Sequence, residues 1–523
     1  MKRVCYNFDE VVMRRIFKLL KQKAFYIVAS LLIQVICLGV IVTYFSTRFT
    51  FFYVIMVILS IIMAIHVINR DSDSSSKLLW VALILAVPIF GGLIYLLFGN
   101  RKIPKALMAQ DRQAYSDYKK YAMQNIQTLE QTNGEDHILD RMISLAWSNG
   151  YFPVYENCKT KYFDTGEIMF ESIKKDLKEA KNYIFFETFI LDQGHMWDTI
   201  LNILLQKVEE GVDVRLIYDD FGTITHLEKD YEKYLNERGI KTYTFNKIRP
   251  QLAVQMNSRD HRKMIIIDGL KAYTGGINIA DEYINTKERF GYWKDMGIRI
   301  EGKGVEMFTI AFLQIWNYQS NENTQYDSFL LPEKDYEKIK GQGYIIPFSD
   351  SPTDDNNTSK NMHLNMLNMA NDLFWITTPY LILDTEMVNA LTLAVNNGVD
   401  VRIVVPGIPD KKLVYEVTKS NYELLIKKGV KIYEYTPGFI HGKVCLSDQE
   451  SALVGTVNMD FRSYYINYEC GIWLYKTSCI LNIKHDLEQI FEQSHLVTLK
   501  ECQETNPIVR NFRNILRIFS PLM

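Results

Sequence analysis

The chain has 523 residues, 48% of them hydrophobic, with 59 Lys and Arg against 61 Asp and Glu. That is too long for one ordinary domain and suggests about three units on a ~150-residue prior. The near-balance of charge hides a split, since residues 1–105 carry 13 basic against 4 acidic residues and the remainder 46 against 57; an acidic body disfavours nucleic acid, which is bound largely by neutralising its phosphates.

The predicted elements begin with FDEVVMRRIFKLLKQK, in which Arg14, Arg15, Lys18 and Lys21 interleave with Val11, Val12, Ile16, Leu19 and Leu20. The pattern suits either a helix on an anionic membrane surface or a basic cytosolic flank. Three apolar stretches follow, 25–45, 49–68 and 78–98, each about the ~20 residues of a bilayer crossing. They predict a multi-pass membrane anchor over residues 1–105. The first stretch starts too late and runs too long to be a cleaved signal peptide. Seven basic residues before it and RKIPK after the third both point to the cytosol, which three full crossings do not allow. The closely spaced first pair is therefore where something other than two plain spans is expected.

Residues 106–150 read as a helical linker. From Ile168 onward, helical patterns such as IMFESIKKDLKEA alternate with short apolar runs such as YIFFETFI and VRLIYDD, which predicts an α/β domain. The pattern then repeats. GVDVRLIYDD and GVDVRIVVPG lie 187 residues apart, GIKTYTF and GVKIYEY 190, and HRKMIIIDGLKAYTGGIN and HGKVCLSDQESALVGTVN 180, in one order. This predicts a duplicated α/β unit, 151–325 and 336–523, with a boundary near 321–335 and the two copies facing each other. The seven cysteines are scattered without metal-like spacing and read as free thiols in a reducing compartment.

In the first motif Met264 to Ile267 read as a buried strand and Asp268-Gly269 as a turn into a second strand, KAYTGGIN. Residues two apart on a strand share a face, so His261 and Lys263 point the same way, and Gly275, Gly276 and Asn278 return beside them. Small residues there let a ligand approach the backbone. Two facing copies, the second with His441, Lys443, Gly455 and Asn458, offer paired imidazoles, ammoniums and amides, a cradle for a phosphodiester. A metal site is disfavoured because Lys ligates metals poorly and no His, Cys or carboxylate cluster repeats with the motif.

HxKxxxxDxxxxxxGxxN in two copies resembles the signature of the phospholipase D superfamily, over roughly residues 150–500. KLLWVALILAVPIFGGLIYLLFGNRK, NSRDHRKMIIIDG, GGINIADEY, GTVNMDFRSYYINYE and ILRIFSPLM resemble the bacterial cardiolipin synthases, from whose usual two N-terminal spans the extra apolar stretch departs. The resemblance implies an α/β fold of duplicated phospholipase D-like domains sharing one active site, preceded by transmembrane helices in a bacterial cell membrane, with the body on the cytoplasmic side. It implies that two phosphatidylglycerols give cardiolipin and glycerol without metal or other cofactor. Its catalytic set is His261, Lys263, Asp268, His441, Lys443 and Asp448. A neutral imidazole suits attack on a phosphodiester anion; His261 takes that role and His441 the acid-base role, and the two can be exchanged. Lys263, Lys443, Asn278 and Asn458 would hold the non-bridging oxygens. For Asp268 and Asp448 an orienting or turn-forming role is favoured over direct chemistry. Glu187 and Asp295 resemble recurrent family residues without an assigned role, and Arg462 and Glu469 read as a structural ion pair. The C-terminal IVRNFRNILRIF is amphipathic at helical period, either lying on a membrane or docked on the body. The alternative activity is a hydrolytic phospholipase D that releases phosphatidic acid.

Overall fold

The structure, a computed structural model, describes residues 32–37, 39–41, 43–44, 50–70, 73–99, 112, 119–121, 134, 136–248, 258–320, 322–353 and 356–522. It divides into two compact units. One comprises residues up to 102 together with Asp220–Leu227 and Asn246–Asn257; the other holds the rest.

In the first unit the described residues of the stretch 25–45 are 32–37, 39–41 and 43–44, and they are helical. The stretch 49–68 forms the helix Thr50–Ile68, whose 19 residues at ~1.5 Å each reach about 28 Å, just under the ~30 Å of a hydrocarbon core. The expected span 78–98 is not one helix. Proline has no N–H and crowds the preceding turn, so the chain runs Ser74–Ala86, breaks at Val87 and restarts at Pro88–Ile94 before a π-turn at Tyr95–Gly99. Among the described residues no helix is long and apolar enough to cross a membrane. Ala64, Val67, Trp80, Ile84 and Tyr95 pack together, and Arg70 Nη1 donates to the Tyr95 hydroxyl at 2.9 Å. Phe51, Ile58, Ile62 and Leu78 remain exposed, an outer surface as apolar as the inner one.

The second unit is built on two sheets of the same plan. The first has seven strands in the order Lys159–Phe163, Gly297–Glu301, Lys271–Gly275, Met264–Ile267, Tyr183–Thr188, Asp213–Asp219 and Lys241–Phe245. The second repeats this order with Tyr344–Asp350, Glu469–Tyr475, Ser451–Gly455, Lys443–Ser447, Leu373–Thr377, Asp400–Pro406 and Lys431–Tyr435, adding Tyr155–Glu156 and Ser494–Leu496 at its edges. In each, three parallel strands joined by helices abut an antiparallel set that contains the motif hairpin. The strands are buried on both faces, as near-continuous runs such as YIFFET and VRLIY require.

Two features fuse the repeats. Helix Val305–Ser320 buries residues on nearly every side, among them Phe308, Phe312, Leu313 and Trp316, and packs against strands of both sheets. Tyr155–Glu156, ahead of the first sheet, pairs with Tyr344–Asp350 of the second. Within the predicted linker, helix His137–Gly150, capped by Asp136, lies against Thr358–Met369 of the second repeat. One continuous apolar core results.

Candidate active site

Each motif histidine sits at the entry to its buried strand, where the other repeat reaches across to it. The His261 N–H donates to the Tyr468 carbonyl at 3.0 Å and the Tyr468 N–H to the Arg259 carbonyl at 2.8 Å. On the other side Tyr292–Lys294 and Gly438–Ile440 form a two-stranded parallel sheet, and the His441 N–H donates to the Lys294 carbonyl at 2.8 Å. The side chains repeat the exchange. His261 Nδ1 lies 2.9 and 3.0 Å from the two carboxylate oxygens of Glu469, and His441 Nδ1 lies 2.8 Å from Asp295 Oδ2. Each imidazole is therefore held by a carboxylate of the opposite repeat, and its Nε2 is left for chemistry.

The lysines share the face of their histidines as the strand period requires. Lys263 Nζ donates to the His261 carbonyl at 2.6 Å, and Lys443 Nζ to the His441 carbonyl. All four groups are more than nine-tenths buried, so solvation no longer favours their charged forms. Burial, aided by Lys263 and Lys443, holds His261 well below the usual imidazole range. Burial and Lys443 bring His441 down to about 4 despite Asp295. Burial lowers Lys263 to about 8 and Lys443 to about 7. Glu469 is pushed up to about 8 by burial, against Lys263 and the hydroxyls of Thr456 and Ser463, which favour its ionised form. Two imidazoles and two buried lysines thus share the site with the carboxylates of Glu469 and Asp295.

A cardiolipin synthase, phospholipase D-like domain matches residues 173–305 and again 363–495, and a phospholipase D-nuclease N-terminal domain matches 58–100. A cardiolipin synthase of Alkalihalophilus pseudofirmus is 32% identical over 88% of this chain and 92% of its own. The chain belongs to the cardiolipin synthase family. An uncharacterised protein of Streptococcus mutans is 41% identical over 88% of this chain and 99% of its own. In fold the chain is similar to the crystal structure of phosphatidylserine synthase from Haemophilus influenzae, with a TM-score of 0.56 at 13% identity, covering 73% of this chain and 99% of that one.

Not every motif residue of this cardiolipin synthase family member reaches the site. Asp268 lies beyond the strand Met264–Ile267, about 16 Å of extended chain from Lys263. It adopts φ 53° and accepts N–H groups of Lys181, Asn182 and Tyr183 at 2.8, 2.7 and 2.9 Å. Asp448 does the same, at φ 50°, for Asn371, Asp372 and Leu373. Both carboxylates tether the start of the neighbouring central strand, so the structure does not place them in the catalytic set. Asn278 is likewise occupied: its Oδ1 accepts the Ile190 N–H at 3.0 Å and its Nδ2 donates to the Tyr283 hydroxyl at 2.7 Å. Asn458 Nδ2 donates to Asp460 at 3.0 Å, while its Oδ1 is buried without a partner.

The glycines admit protein, not ligand. A Cβ on Gly275 would lie 2.5 Å from the Met296 carbonyl, and one on Gly455 2.4 Å from the Cys470 carbonyl, so both serve close strand approach. At Gly276 a Cβ would lie 2.1 Å from Asp295 Oδ1, which makes this glycine the seat of the carboxylate that holds His441. The equivalent position in the second motif is Thr456, whose hydroxyl donates to Glu469. Ser463 donates to the other oxygen of the same carboxylate at 2.7 Å.

Glu469, expected to be structural, is thus the partner of His261. Asp295, noticed without a role, is that of His441. A sequence signal existed: both acids stand two residues before a glycine in an apolar run, DMGIRI and ECGIWL, at matching places in the two repeats. Glu187 holds the buried Arg262 guanidinium at 2.9 and 2.5 Å. The second repeat replaces this ion pair with Thr377 and Gly442, joined through the Thr377 hydroxyl and the Gly442 carbonyl at 2.8 Å.

Proposed function

We propose that the chain transfers a phosphatidyl group from one phosphatidylglycerol to the free hydroxyl of a second, giving cardiolipin and glycerol. The observation that carries this reading is the crossed pair of histidine–carboxylate contacts, which gives one pocket two imidazoles oriented by Nδ1 with Nε2 open. Neutral His261, its Nδ1–H directed at Glu469, attacks phosphorus through the Nε2 lone pair. The P–O bond to glycerol breaks and the departing oxygen takes the Nε2 proton of His441, leaving a phosphatidyl-histidine. His441 then accepts the hydroxyl proton of the second phosphatidylglycerol as its oxygen attacks phosphorus, and the P–N bond breaks to restore His261. Exchanging one phosphodiester for another needs no energy source. Lys263 and Lys443 offset the charge on the non-bridging oxygens, and the incoming anion raises the proton affinity of His441 enough for it to act as an acid. The roles of the two histidines exchange without altering this account. The apolar N-terminal unit would anchor the enzyme in a bacterial cell membrane, with the acidic body at the cytoplasmic face.

The test is product analysis by mass spectrometry of the full chain with phosphatidylglycerol vesicles, beside His261→Ala and His441→Ala. Cardiolipin plus glycerol, lost in both variants, is expected. Phosphatidic acid alone would replace this reading with a hydrolase.

A further inference from the structure

The last helix, Pro507–Ile518, docks on the body by one edge and leaves another uncovered. Arg513 Nε donates to Glu416 at 2.6 Å, Leu516 packs on Ile382, Val417 and Phe461, and Ser520 and Pro521 are buried just after the helix. About a quarter-turn round the axis, Ile508, Phe512, Ile515 and Phe519 recur at helical spacing and stay 79%, 45%, 57% and 38% exposed. Leu522 beyond the helix is 47% exposed, and the adjoining helix Lys412–Ser420 carries Leu413 at 58% exposed. A folded body rarely shows water so continuous an apolar strip without a use for it. From Ile508 to Leu522 the chain carries Arg510, Arg513 and Arg517 and no acid, although the body as a whole is acidic. Lys411 and Lys412 lie exposed at the head of the adjoining helix.

The buried cluster on which this helix docks is linked to the active site. The Ile382 N–H of this cluster donates to the Met459 carbonyl beside Asn458. Phe461 of the same cluster opens the short helix that carries Ser463, the hydroxyl partner of Glu469. Lys411 stands close enough to weigh on the charge of His261.

We propose that the stripe Ile508, Phe512, Ile515, Phe519 is seated in the surface layer of an anionic phospholipid bilayer and holds the mouth of the site against it. The inference rests on the cardiolipin synthase reading, in which both substrates keep their acyl chains in the membrane because withdrawing them into water is costly. A helix with an apolar stripe and a basic polar face lies in that layer with its stripe about 5–10 Å below the headgroups.

The test uses the full chain carrying Phe512→Trp in phosphatidylglycerol vesicles with brominated acyl chains. The added tryptophan emission should fall at least ~twofold, more with bromines near the glycerol end than near the methyl end. It should also be shielded from aqueous acrylamide. Phe512→Glu/Ile515→Glu should lose at least ~fivefold in turnover at low phosphatidylglycerol surface density, while turnover of a dispersed short-chain phosphatidylglycerol stays unchanged. Emission that is open to acrylamide and untouched by bromine would overturn the proposal. So would a doubled mass in detergent that the double variant halves, since the stripe would then join two copies of the chain. Failure to make any cardiolipin would remove the functional reading and leave the quenching result to be judged by itself.

Discussion

Replacing Asp268 by Asn should cost stability and leave chemistry nearly intact. The Asp268 carboxylate accepts three backbone N–H groups within 2.9 Å. Hydrogen bonds to a charged group contribute about 1.5–3 kcal/mol each, but this corner is half exposed and water can take over part of the work. Asn tolerates the positive φ at this position and keeps one acceptor oxygen, so Asp268→Asn should lose about 1–2 kcal/mol. Ala removes both oxygens and strains the left-handed backbone, so Asp268→Ala should lose about 3–5 kcal/mol. The assay is thermal unfolding of the detergent-solubilised chain beside cardiolipin formation per folded molecule. The expected order is wild type, Asn, Ala in melting temperature, with activity per folded molecule within about threefold, because Asp268 sits roughly 16 Å from Lys263 along an extended strand. A stable Asp268→Asn protein that lost more than a hundredfold in activity would refute the reasoning and return this carboxylate to the chemistry.

Glu469→Gln keeps the shape of the side chain but cannot fix the Nδ1–H tautomer of His261, and a drop of about 10²–10⁴-fold in kcat with little change in KM is expected; a loss below tenfold would count against an orienting role. The pH profile of kcat/KM should be bell-shaped with its maximum between about 7 and 8. Activity rises as the Glu469–His261 pair sheds its proton and falls as Lys443, at about 7, and Lys263, at about 8, shed theirs. A profile flat from about pH 5 to 9, with chemistry shown to limit the rate, would be incompatible with that assignment. Glu187→Gln leaves the Arg262 charge buried with Asp260, 3.3 Å away, as its counter-ion among the described residues; a cost of about 3–5 kcal/mol is expected in denaturant unfolding, and Glu187→Gln/Arg262→Met should recover part of it.

Much of this site was legible in the order of residues. The strand Met264–Ile267, the turn at Asp268 and the returning strand follow from MIIIDGLKAYTGG, because alternation and turn chemistry are local. The duplication could be read because sheet position is inherited along with sequence. The partners of the histidines could not. Glu469 meets His261 through pairing between chain segments some 200 residues apart, and nothing near GTVNMDFRSYYINYE says which residue the acid faces. Arg462, seven residues away, offered a nearer explanation for Glu469 than His261 did. The asparagines misled for a related reason: an amide beside a catalytic strand can bind substrate or brace a loop, and only the contacts of Asn278 with Ile190 and Tyr283 decide between them. The third apolar stretch was long enough to span, and Pro88 within it was the local sign that it would break.

The crossing of carboxylates between repeats also fixes when during synthesis the enzyme can first act. A nascent chain that has left the ribosome as far as the first sheet holds His261, Lys263 and Asp295, yet it lacks both the acid that orients its own imidazole and the imidazole that its acid would orient. Only when the strand Glu469–Tyr475 has been made and inserted are both imidazoles held by their carboxylates. Cardiolipin formation is thereby a report that translation has passed residue 475.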